Sequence, residues 1–154
     1  MNTTLKPTEG KITGWENFWR MGLSYKTLSE NAQHRREKFT PDLLYNISAM
    51  AIENLVMGFL SFKGSLPENH ALRDLVRGLE KEITLDKALK MRLLSMDRYQ
   101  EICSLIMYNR RIPHWDDVGE FVLLAQDLEK LFVAEVPQLG LVGAARLSIY
   151  LNEF

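Results

Sequence analysis

TPDLLYNISAMAIENLVMGFLSFKG, running from Thr40 to Gly64, decides the fold. Thr40 reads as a helix cap, Pro41 as a first-turn proline whose missing amide costs nothing there, and Asp42 as an acid set against the positive end of the helix dipole. Helical spacing continues through Leu44, Ile47, Ser48, Ala51, Leu55 and Phe59 up to Gly64. At about 1.5 Å per residue the helix is roughly 35 Å long, enough to run the length of a small bundle. Gly58 within it either lets another helix come close or is simply tolerated.

Upstream, residues 1–12 are polar and carry Pro7 and Gly10, the composition of a flexible N-terminal arm. Thr13-Gly14-Trp15-Glu16 reads as a capping box that opens a helix. Trp15, Phe18, Trp19, Leu23 and Leu28 give this helix one apolar face, and Arg35, Arg36 and Lys38 suit its negative end. Downstream, Ser65-Leu66-Pro67 turns the chain, and Leu72, Leu75, Val76 and Leu79 mark a shorter amphipathic helix. Thr84 is the expected cap of the next helix, about six turns long, through Leu89, Leu93, Met96, Cys103 and Ile106. Asp117 with Glu120 three residues later reads as the cap of a last long helix carrying Phe121, Val122, Ala125, Leu128, Leu131 and Phe132. Pro137 and Gly140 end it, and Leu141 to Leu151 form either a short apolar helix on the bundle or half of a dimer contact.

The expected fold is all-α: an antiparallel four-helix up-and-down bundle with an additional short helix, because short loops favour antiparallel neighbours. Residues 13–136 form the bundle, and residues 137–154 form a C-terminal extension packing on it or on a partner subunit. The length of 154 residues suits one domain without metal or disulfide staples. Nineteen basic residues against twenty acidic ones leave a net charge of −1, so attraction to nucleic acid would come from a local patch. The one cysteine, Cys103, sits among Ile102, Leu105 and Ile106 and reads as a buried, inert thiol. No apolar signal segment opens the chain and no run approaches the roughly 20 apolar residues of a membrane helix, so a cytoplasmic location away from membranes is expected.

The spacings of a phosphate-binding glycine loop, a paired-cysteine zinc site and a His-Glu-x-x-His metal site are all absent. No metal or other cofactor is expected. His34 beside Arg35 and Arg36 reads as a cation at a helix end. His70, Arg73 and Arg77, at i, i+3 and i+7, share a helix face that either binds phosphate or an acidic partner or forms local ion pairs in water. The loop Asn109-Arg110-Arg111-Ile112-Pro113-His114-Trp115 gathers two fixed charges, an amide, an imidazole and an aromatic ring at a helix junction. Arginine braces phosphate bidentately, histidine exchanges protons near neutral pH, and Trp115 offers a stacking surface for a base. The alternative is structural: arginines at the carbonyl end of a helix, a turn proline, and a tryptophan tucked into the core.

From Pro41 to Glu135 the chain resembles the HEPN family, the higher eukaryotes and prokaryotes nucleotide-binding domains. Three features carry the resemblance: the long helix with small residues Asn46, Ser48, Ala49 and Ala51; the segment Leu66-Pro67-Glu68-Asn69-His70-Ala71-Leu72-Arg73-Asp74-Leu75; and the basic loop before the final long helix. The second is similar to the family's Pro-x-x-His-x-Leu-x-x-Leu helix start. The resemblance implies a helical bundle that forms a homodimer and sits beside a nucleotidyltransferase or an antitoxin-like partner. Active members are metal-independent ribonucleases with an Arg, four to six intervening residues and a His. Arg110 and His114 come nearest to that motif, with Trp115 following and three residues intervening. Catalytic geometry tolerates little displacement. The expected function is therefore binding of a nucleotide, RNA or partner protein without efficient catalysis, through Asn109, Arg111, Trp115, His70, Arg73 and Arg77. The alternative is a toxin-type endoribonuclease in which His114 moves a proton at the RNA 2′-hydroxyl or leaving oxygen and Arg110 or Arg111 stabilises phosphate charge.

Overall fold

The structure, a computed structural model, describes residues 14–99 and 111–143. These residues are helical, with no strand among them: α1 (Gly14–Ala32), α2 (Pro41–Lys63), α3 (Leu72–Glu82), α4 (Lys87–Ser95) and α5 (Trp115–Glu135), with 3-10 turns at Met96–Tyr99 and Pro137–Leu141. Thr13, Cys103, Asn109, Arg110, the arm 1–12 and the apolar stretch 144–151 lie outside the described residues.

The start and stop signals of α2 act as the sequence predicts. The Thr40 hydroxyl accepts a hydrogen bond from the Leu43 amide at 3.2 Å, and Gly64 ends the helix in the left-handed region at φ 74°. α1 packs along α2 in the opposite direction. Trp15 meets Phe62 edge-on at 5.1 Å, while Trp19 lies against Gly58 and Gly22 against Leu55 further down the pair. A Cβ built at Gly58 would sit 2.9 Å from the Trp19 backbone nitrogen, so this glycine is there for close approach. α5 closes the core from the other side. Phe132 stacks on Phe59 with centroids 4.5 Å apart, and Tyr45 meets Phe121 at 5.3 Å, so α5 runs in the same direction as α2. Lys26 of α1 bridges Glu129 of α5 at 2.8 Å. Burial disfavours its charge, but hydrogen bonds and charge from Glu129 and Glu30 outweigh that and hold its pKa above the usual lysine value.

The link after α2 does not make an antiparallel hairpin. Residues 65–71 have no regular structure and lead back along α2, so that His70 reaches Glu53 and α3 then runs alongside α2 in the same direction. Gly78 lies against Leu60, and the Ser65 hydroxyl donates to Glu82 where the two helices end together. Seven extended residues can cover about 20 Å, more than enough for the return.

The expected six-turn helix beginning near Leu85 is shorter. Its cap is Asp86, which accepts from the Ala88 and Leu89 amides, rather than Thr84. After Ser95 the chain tightens into the Met96–Tyr99 turn, where the Met96 carbonyl accepts the Tyr45 hydroxyl at 2.7 Å and Tyr99 packs on Tyr45 and Phe121. Tertiary contacts thus override the local helical period. α1 likewise stops at Ala32, before Arg35, Arg36 and Lys38. By length and composition α2 is apolar enough to cross a membrane, but 67% of its apolar window is buried inside the protein, which makes it the core helix.

Candidate functional site

The basic loop re-enters the described structure at Arg111, whose amide donates to the Arg98 carbonyl at 3.1 Å and ties the loop to the 3-10 turn. Its guanidinium lies over the Tyr99 ring, 5.6 Å from the centroid, with Nη2 3.1 Å from Asp117 Oδ1. Asp117 Oδ2 accepts the His114 amide at 2.9 Å. That contact moves the start of α5: His114 is the cap and Asp117 the third helical residue reaching back to it, so the cap expected at Asp117 lies three residues earlier. The Asp117 side chain is 18% exposed, whereas that of Arg111 is 53% exposed. Burial raises the Tyr99 pKa, and the charge and hydrogen bond of Asp117 raise it further against the opposing charges of Arg111 and Arg98.

Asp117 thus links Arg111, which lies over the Tyr99 ring, to the backbone of His114. Pro113 is buried, His114 is exposed, and Ile112 projects outward at 63% exposure. Trp115 is half-buried and, like Phe39, packs against the cluster of Ala32, Leu44, Val118 and Val122. One face of its ring carries the Arg36 guanidinium at 4.6 Å, so that face is already taken by a cation.

The second group of candidates is spread out. His70 lies in the link before α3, not on the helix, and its Nδ1 is 3.2 Å from Glu53. Arg73 pairs with Asp97 at 3.4 Å and Arg77 with Asp74 at 3.6 Å. The three side chains thus turn to three different carboxylates. His70 and Glu53 line a small cleft, partly open to solvent, together with Tyr45, Ile52, Leu72 and Met96. Arg77 and Lys81 line a broad open depression of about 1010 Å³ against the link 65–69. Tyr45 joins the two regions, lining the cleft on one side and packing on Tyr99 on the other.

Sequence reading missed Tyr99, Arg98 and the role of Asp117 as partner of Arg111. The sequence signal for that role is the acid three residues after His114, which by spacing alone reads as a cap. Among the described residues no cluster of three or more His, Cys, Asp or Glu side chains is placed to hold a metal ion. The site's chemistry is that of a half-exposed guanidinium paired with one carboxylate, which also accepts the backbone amide of the exposed His114. No protein-family model matches the chain, nor does any curated protein or solved structure.

Proposed function

We propose that this chain is a HEPN-like helical domain that binds the phosphate of a nucleotide or an RNA at the start of α5, without efficient catalysis. The observation that carries the reading is the Arg111 guanidinium, held half-exposed over Tyr99 in the loop that carries the exposed His114. A permanently charged planar guanidinium open to solvent is suited to one or two phosphate oxygens. The ion pair with Asp117 argues for modest affinity and against a strong transition-state clamp, because a carboxylate beside the arginine opposes further negative charge.

On this reading α1, α2, the stretch beginning at α4, and α5 make the antiparallel four-helix up-and-down bundle, with α3 as the additional short helix. A homodimer in the cytoplasm, with a nucleotidyltransferase or antitoxin-like partner, belongs to the same proposal. Titration of a short labelled RNA and of a nucleoside triphosphate tests it. Binding should weaken steeply as salt rises from about 50 to about 200 mM, and Arg111→Ala should remove most of it. The endoribonuclease reading, with Arg110 and His114 as the acting residues, is favoured by one feature, the exposure of His114 beside a basic loop. It predicts RNA cleavage in chelator that disappears in His114→Ala.

A further inference from the structure

Asp117 does two things at once. One oxygen caps α5 through the His114 amide, and the other holds the Arg111 guanidinium. A cap needs only an oxygen acceptor, and the neutral amide of asparagine supplies one. The negative charge is thus surplus to capping, and it sits 3.1 Å from the cation that an incoming phosphate would need.

We infer that Asp117 is an internal competitor for the anion seat of Arg111, so that phosphate binds only by displacing the protein's own carboxylate. The inference rests on the proposed phosphate-binding reading and specifies how that site is restrained. Asp117 is four-fifths buried and tied by the His114 amide, while the Arg111 side chain is more than half exposed. The carboxylate is therefore the fixed partner, and the guanidinium is the group that moves toward a ligand. Asp116, one residue earlier, is exposed in the same first turn and carries the same charge without holding Arg111. It serves as the control for general charge effects.

The test is a fluorescence titration of the full chain with a labelled RNA of about eight nucleotides, a length that matches common single-strand sites. It is run on wild type, Asp117→Asn, Asp117→Ser, Asp116→Asn and the double variant Arg111→Ala with Asp117→Asn, each shown to be folded by circular dichroism. Asp117→Asn should bind about three- to tenfold tighter, the range of an exposed ion pair released together with a local repulsion. The slope of log K against log salt should steepen by about 0.7, as for one more phosphate contact on a single strand. Asp116→Asn should change affinity less than about twofold, and the double variant should lose the gain. Binding by Asp117→Asn alone, with none by wild type, supports the inference as well. Equal gains from Asp116→Asn and Asp117→Asn, or wild-type binding with no gain in either Asp117 variant, would overturn the inference and leave the phosphate-site reading standing. No binding by any folded variant would overturn that reading and the inference together.

Discussion

The two ends of α5 are held by different physics. Around its C-terminal half Phe132 is fully buried, stacked on Phe59 and tilted against Trp19 at 6.5 Å, in a core where a single methyl group at Gly58 has no room. At its N-terminal end Trp115, Val118, Phe121 and Val122 also pack on the core, and to them are added Arg111 to Asp117, Asp117 to the His114 amide, and Arg111 over Tyr99, with the Arg111 side chain open to water. The first end is specified by shape alone and the second by shape with charge added at the tip. Shape is costly to alter because a close-packed core relaxes only partly, whereas exposed charge is cheap to alter and free to interact with something else. The packed end holds the helix in place, and the other end carries the solvent-exposed charge of Arg111.

The largest expected effect belongs to the packed end. Phe132→Ala should destabilise the fold by about 3–5 kcal/mol, read as a lower denaturant midpoint with an unchanged slope. Gly58→Ala comes next. Helix propensity alone would favour alanine by about 1 kcal/mol, but its Cβ would meet the Trp19 backbone, so a net loss of about 1–3 kcal/mol is expected. A gain in stability from that substitution would break the contrast between the two ends. Asp117→Ala, at the charged end, should cost only about 1 kcal/mol, the scale of a lost cap and an exposed ion pair.

The smallest effect appears at high pH. The folded-state pKa of Lys26 is raised, so its contribution is fully present below the unfolded value near 10.4 and is lost as pH rises through the folded value. The raised Tyr99 pKa acts in the same direction from about pH 10 upward. Stability of wild type should therefore fall more steeply above about pH 10 than that of Glu129→Gln, in which Lys26 keeps only Glu30 as a partner. Parallel pH profiles for the two proteins would remove Glu129 from that account.

The contrast also explains what the sequence could and could not reveal. α2 was legible because its signals are local: Thr40 caps within three residues, Pro41 starts, Gly64 stops, and the apolar positions share one period. The direction of α3 was not legible, since a seven-residue link can either turn or retrace its path. The choice was made by contacts far apart in sequence, such as His70 with Glu53 and Gly78 with Leu60. The break after Ser95 was hidden for the same reason, as Tyr45 binds the Met96 carbonyl from 51 residues away. At the candidate site, His114 and Arg111 could be read from the chain as polar residues in a loop. Their tether could not, because an acid three residues after a cap looks the same whether or not it also holds an arginine.

The central claim is that the exposed, charged end of α5 binds phosphate without cutting RNA. The most direct measurement is equilibrium binding of a short labelled RNA to wild type and Arg111→Ala in chelator at low salt, with the same samples then analysed for cleavage. The account predicts salt-sensitive binding by wild type, at least about tenfold weaker binding by Arg111→Ala, and intact RNA in both. Equal binding by the two proteins, or RNA cut by wild type and spared by His114→Ala, would contradict it.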